Sequence, residues 1–201
     1  MSKTLNDEEQ IKVIVGLGNP SKEFLKTRHN VGYWFLEQLL DKFEVELKTD
    51  KKLNCEIGYF EFENDKIFLV KPLTFINDSG IVVRAVSDYY KINIESFLIV
   101  HDDIDVTVGT NKLKFKGGHG GHNGLRDIIN HKNDSFWRLR IGVGHPGEKS
   151  LVHNYVLSAP TNSEKEIILN SFEDIHNNFA LILKNKFEDF MNILHRKKDG
   201  V

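Results

Sequence analysis

Cysteine is nearly absent. Cys55 stands alone, so no intramolecular disulfide braces this chain, as suits a reducing compartment. Also missing is any apolar run near the roughly 18 residues that a membrane-spanning helix needs. Residues 1–10 are polar and acidic and lack the apolar centre of a secretory signal. These absences lead us to expect a cytoplasmic protein with no membrane association. Positive charge is not in excess either. Lysine and arginine total 27 against 29 aspartates and glutamates, a net charge of −2, which excludes a protein that coats nucleic acid through bulk charge. A local basic patch remains open, because phosphates are met by a few clustered side chains.

Several chemical signatures are lacking as well. No Gly-x-Ser-x-Gly elbow or P-loop is present, which leaves a serine hydrolase or a nucleotide triphosphatase without support. Gly16-Leu17-Gly18 follows a strand pattern as a dinucleotide fingerprint would, but Ser21 stands where the third glycine belongs and Pro20 intrudes. There is no cysteine cluster for zinc, and Cys55 lies in a strand pattern as a packing residue.

What is present suits one globular domain. The chain has 201 residues, 40% hydrophobic and 28% charged, enough to bury a core without staples. No repeat or Pro/Ser-rich linker divides it. We expect a single catalytic domain over 11–195, with a flexible extension at 1–10 and a flexible tail at 196–201.

Residues 11–15 are rich in β-branched side chains and read as a buried strand. Val31, Trp34, Phe35 and Leu39 then recur at helical spacing, with Thr27 or Asn30 placed to cap the helix. Residues 57–62 and 67–70 flank the turn-prone pair Asn64-Asp65 and suggest a hairpin that stops at Pro72. A helix is expected over 77–91, a strand over 97–100, and alternating strands over 111–116 and 138–143. Residues 162–183 form the strongest helical pattern, with Ser163 and Glu166 as its expected capping box and Ile168, Phe172, Ile175, Phe179 and Ile182 as its apolar stripe. A shorter helix follows through Phe187, Phe190, Met191 and Leu194. Strands alternating with helices imply an α/β fold: a mixed, twisted sheet with a parallel centre and helices on both faces.

Three apolar strands run into unusual polar stretches: Gly16-Leu17-Gly18-Asn19-Pro20, Lys71-Pro72-Leu73-Thr74-Phe75-Ile76-Asn77 and His101-Asp102-Asp103. In a parallel sheet the carboxyl ends of the strands share one edge, where ligands bind. Neighbouring strands would therefore gather Asn19, Asn77 and Asp102. His29 sits at the expected start of the first helix, where the positive end of the helix dipole disfavours imidazolium and keeps the ring free to accept a proton. A carboxylate such as Asp102 would fix its tautomer and stabilise the charge it acquires. Taken singly, such a histidine is more often a cap or surface residue, and such an acid a turn former. The glycine-rich run from Gly117 to Gly124, Gly117-Gly118-His119-Gly120-Gly121-His122-Asn123-Gly124, is either a loose hairpin loop or a chain shaped for close ligand approach. A metal reading would draw on His119, His122 and Asp103, with His101 and Asp102 able to join, but a glycine loop is a poor support for rigid ligands.

Together, Val15-Gly16-Leu17-Gly18-Asn19-Pro20, Thr27-Arg28-His29-Asn30, the stretch from Lys71 to Asn77, His101-Asp102-Asp103, the glycine run and Arg138-Leu139-Arg140-Ile141-Gly142-Val143-Gly144-His145-Pro146-Gly147 resemble the bacterial-type peptidyl-tRNA hydrolase family. The six motifs stand in that family's order across 11–157. The resemblance implies a monomeric enzyme without metal or cofactor that cleaves the ester between a peptide and the 3′ end of tRNA. It implies His29 as the base that activates water, Asp102 as its supporting carboxylate and Asn19 as a discriminator of N-blocked peptidyl esters. Asn77 and Asn123 would hold the peptide backbone and the attacked ester, and Phe75 would line the crevice. Phe24 replaces a tyrosine usual in the family, leaving stacking without a phenolic hydrogen bond, and Ile76 replaces a methionine. Lys112, Lys114 and Arg140 are implied as a clamp on tRNA phosphate, with a solvated strand face as the plainer alternative. A catalytically idle RNA-binding module on the same fold is the competing functional reading.

Overall fold

The computed structural model describes residues 10–196. The expected flexible segments 1–10 and 196–201 therefore lie outside the described residues, except for Gln10 and Arg196. Gln10 is tied down, its side-chain amide donating to the Leu183 carbonyl at 3.0 Å.

In chain order the main elements are β1 (Val13–Gly16), α1 (Val31–Phe43), β2 (Lys48–Asp50), β3 (Cys55–Phe62), β4 (Asp65–Pro72), α2 (Ser79–Tyr90), β5 (Phe97–Asp103), β6 (Asn111–Phe115), α3 (Asn123–His131), β7 (Trp137–Gly142), α4 (Val152–Val156), α5 (Asn162–Asn177), α6 (Phe179–Leu183) and α7 (Phe187–Arg196). The strands form one seven-stranded sheet in the order β2-β3-β4-β1-β5-β7-β6. Its centre is parallel, β1 lying between β4 and β5, and β5 also pairing with β7. The hairpin β3-β4, the short β2 and the outer strand β6 are antiparallel.

The central strands are apolar on both faces, as a sheet covered twice requires. Ile14, Leu98, Val100 and Leu139 turn toward α1, α5, α6 and α7, where Phe35, Leu39, Phe172, Ile175, Phe179 and Phe190 are buried. Val13, Val15, Phe97 and Ile99 turn the other way, toward Val82, Val83 and Val86 of α2 and Leu125 and Ile128 of α3. The expected α/β architecture, with helices on both faces, is the one observed.

Local boundaries differ in three places. The hairpin turns on Glu63 and Asn64, both in left-handed backbone (φ 49° and 78°), one residue before the expected pair. The capping box of α5 is Thr161 with Glu164, two residues before Ser163 and Glu166. The long helical pattern is broken at Asn178 into α5 and α6, although its apolar stripe stays buried throughout. A fourth difference bears on function: β5 continues through His101, Asp102 and Asp103, where the sequence suggests a loop.

Candidate active site

Glycine brings the first helix down onto the sheet. A β-carbon on Gly32 would lie 2.5 Å from the carbonyl oxygens of both Leu17 and Val100, and one on Gly16 would strike the Gly32 carbonyl. Only glycine allows this approach of α1 to the ends of β1 and β5. The 3-10 turn Arg28–Asn30, just ahead of α1, is thereby set beside Asp102 on β5.

The result is a buried imidazole–carboxylate pair. His29 Nδ1 lies 2.7 Å from Asp102 Oδ1, with the two residues 8% and 3% exposed. An ionised carboxylate can only accept, so Nδ1 carries the proton and Nε2 is left with its lone pair. Among the described residues Nε2 has no hydrogen-bond partner. Burial pulls the pKa of His29 down, but the charge and hydrogen bond of Asp102 outweigh it and leave it raised from its ordinary 6.5.

Asp102 Oδ1 also accepts from His122 Nε2 at 3.0 Å. His122 is the N-cap of α3, its Nδ1 accepting the Leu125 N–H at 3.3 Å. Nδ1 being an acceptor, Nε2 must be the protonated nitrogen. One carboxylate oxygen thus takes two imidazole N–H groups, and the helix cap fixes the tautomer of the second. Burial pushes the Asp102 carboxyl up, but the charges and hydrogen bonds of His29 and His122 outweigh this and hold it well below the ordinary carboxylate value. His101 adjoins the pair, its Nδ1 donating to the Asp102 carbonyl at 2.7 Å. Complete burial, then the neighbouring His122, drives its pKa from 6.5 down to about 3.

Asn19 is oriented by two neighbours. The Asn30 side chain accepts from Asn19 N and donates to Asn19 O, both at 2.9 Å. The Ile76 N–H donates to Asn19 Oδ1 at 2.8 Å, which leaves the Asn19 Nδ2 as a free donor. Asn30, expected as a helix cap, makes no capping bond because its side chain is spent on Asn19. Asn19, His29 and Asp102 line one cavity of about 790 Å³ with Phe24, Phe75, Asn77, Asn123 and His122. The rings of Phe24 and Phe75 meet edge to face at 6.5 Å, so Phe24 packs without needing a phenolic oxygen. Asn77 and Asn123 are exposed at the rim.

The far wall comes from residues 147–157, where Lys149, Val152, His153, Val156 and Leu157 face the cavity. Arg28 staples this wall beside His29. Its guanidinium donates to Ser158 Oγ at 2.8 Å and the Ala159 carbonyl at 3.1 Å, pairs with Glu164 at 3.0 Å and lies 4.0 Å over the Tyr155 ring.

The residues that the alternative metal reading would draw on, His119, His122 and Asp103, are engaged separately. Asp103 pairs with Arg140 at 2.6 Å, and His119 accepts the Gly121 N–H. Among the described residues, the one group placed to share an ion is His29, Asp102 and His122, with ligand atoms within 4.8 Å of one another. His29 Nδ1 and His122 Nε2 already donate to a single carboxylate oxygen, so an ion held by those two nitrogens would have to displace both protons. On the sheet edge, pairing of β6 with β7 sets Lys112 opposite Arg140 and Lys114 opposite Arg138. Arg138 is only 3% exposed, its guanidinium donating to the carbonyls of Gly117 and Gly118; it shapes the glycine run rather than facing solvent.

Residues 13–200 match the family model of peptidyl-tRNA hydrolase. This chain belongs to the peptidyl-tRNA hydrolase family. A peptidyl-tRNA hydrolase of Rickettsia canadensis is 44% identical over 179 residues, covering 89% of this chain and 97% of the relative. Another, from Ruthia magnifica, is 42% identical over 189 residues, covering 94% and 99%. The crystal structure of the Acinetobacter baumannii peptidyl-tRNA hydrolase superposes with a TM-score of 0.89 at 40% identity, over 94% of this chain and 96% of that one. Of the residues singled out from sequence, His29, Asp102, Asn19, Asn77 and Asn123 line the same cavity, whereas the second imidazole on Asp102, the Asn30 brace and the Arg28 staple are not expected from it. The only linear signal for those three is their place inside the same motifs.

Proposed function

We propose that this chain hydrolyses the ester joining a peptide to the 3′ end of tRNA, with His29 as the general base. The observation that carries this reading is the unpartnered Nε2 of an imidazole that lines the cavity and whose Nδ1 is held by a buried carboxylate. Water bound at Nε2 would lose its proton as it attacks the ester carbonyl, and Asp102 would stabilise the imidazolium that forms. Because Asp102 also accepts from His122, its carboxylate cannot rotate away as charge builds. The Asn19 Nδ2 and the amides of Asn77 and Asn123 are donors within reach of the cavity, suited to a developing oxyanion and to the peptide backbone. An ester is labile enough for one positioned base and a few amide donors; general-base help of about 10²–10⁴-fold is typical.

The tRNA would lie across the strand face of Lys112 and Lys114, with the nitrogens of Arg140 not used by Asp103 completing a phosphate contact. No helix among the described residues is long and apolar enough to cross a membrane. The reading puts the enzyme in the cytoplasm, acting as a monomer without metal or cofactor. An idle RNA-binding module would gain nothing from the buried pair, which favours the enzyme. The test is release of N-acetyl amino acid from N-acetyl-aminoacyl-tRNA by wild type and His29→Ala. We expect turnover by wild type that survives EDTA, and none by the variant with its tRNA affinity intact. Near-normal turnover by the variant would refute the base.

A further inference from the structure

Beside Asn77 and Asn123 the main cavity adjoins a smaller concavity of about 270 Å³, lined by Asn77, Asn123, Arg126, Asp127 and Asn130. Asp127 is already engaged. Its Oδ2 accepts the Gly80 N–H at 2.7 Å, and its Oδ1 lies 3.3 Å from His131 Nδ1. The other four are exposed and, among the described residues, their amides and guanidinium have no hydrogen-bond or ion-pair partner. We infer that this groove receives the peptide upstream of the esterified residue, and that Arg126 favours a carboxylate side chain there. The inference rests on the reading of the preceding subsection and adds a substrate preference to it.

Spacing and chemistry both point to a peptide. Asn123, Arg126 and Asn130 lie three and four residues apart on α3 and so share one face. Along the helix they span about 10 Å, and an extended peptide advances about 3.4 Å per residue, so the row matches roughly three residues of bound chain. Amide side chains both donate and accept, as a peptide backbone demands. A nucleic-acid path would need a series of cations, and this groove has one. The neighbouring carboxylates are spent: Asp127 on Gly80 and His131, Asp103 on Arg140 and Asp102 on two imidazoles. The Arg126 charge is therefore open to an acidic ligand group.

The experiment compares kcat/KM for N-acetyl-Glu-Glu-Ala-tRNA and its uncharged isostere N-acetyl-Gln-Gln-Ala-tRNA, with N-acetyl-Ala-tRNA as a reference. Wild type should prefer the acidic substrate by about three- to fivefold, the range of a solvent-exposed ion pair, and the preference should shrink as salt rises. In Arg126→Gln the ratio should fall to about one, and in Arg126→Glu it should invert. Equal ratios in wild type and Arg126→Glu would overturn the inference while leaving the hydrolase reading intact. Wild type that fails on all three substrates would instead defeat the hydrolase reading, and this inference with it.

Discussion

The side chain of Asn30 bonds both backbone polar groups of Asn19, accepting from its N–H and donating to its carbonyl, each at 2.9 Å. Asn30 is fully buried one residue after His29, so this exchange locks the first strand's loop to the turn that carries the base. Asn30→Ala should leave both Asn19 groups unsatisfied, lowering stability by about 1–3 kcal/mol and kcat by up to about 10²-fold through a 1 Å-scale shift of Asn19. Urea unfolding and steady-state kinetics on the same preparation check both.

Gly32 is the second device that assembles the site. Its missing side chain lets α1 sit on the carbonyls of Leu17 and Val100. Gly32→Ala should lower stability by about 1–3 kcal/mol through overpacking. It should also lift His29 from Asp102, which a drop in activity beyond the loss of folded protein would report.

His101 contributes a pH dependence to folding. Its folded pKa of about 3 lies below the ordinary 6.5, so between these values the unfolded chain binds the additional proton. Its contribution to stability is therefore present above pH 6.5 and is lost as pH falls toward 3. His101→Asn keeps a donor for the Asp102 carbonyl and does not titrate. The slope of unfolding free energy against pH should be shallower in this variant across that window, by up to about one proton. An unchanged slope would show that His101 is protonated in the folded state.

With Lys112 set against Arg140 by strand pairing, the proposed phosphate clamp would make tRNA binding a salt-sensitive property of one sheet edge. Lys114→Ala with Arg140→Ala should weaken tRNA binding and reduce the slope of log K against log salt by about 0.7–0.9 for each phosphate no longer neutralised. Fluorescence anisotropy across a salt series measures it.

Much of this arrangement was legible in the linear chain. Continuous apolar runs mark β1 and β5 as buried strands, and strands alternating with helices suggest a parallel centre, which as neighbours would gather Asn19, Asn77 and Asp102 at one edge. Local patterns failed where two solutions were equally good or tertiary contacts decided. Thr161-x-x-Glu164 and Ser163-x-x-Glu166 both fit a capping box, and the first wins where Glu164 also pairs with Arg28. Asn30 looked like a cap because its demand for Asn19 spans two elements. Likewise His122, set in a glycine run, gave no linear sign that it would reach a carboxylate 20 residues away.

The most direct test of the account is the pH dependence of kcat/KM for wild type and Asp102→Asn. The base must be unprotonated to act, so the rate should rise with pH through one ionisation, with its midpoint above 6.5 because Asp102 raises the His29 pKa. Removing the charge should move that midpoint to lower pH and cut the plateau by about 10²–10⁴-fold. A midpoint that stays where it is in Asp102→Asn, or a wild-type rate with no acid limb, would contradict the paired imidazole and carboxylate as the source of catalysis.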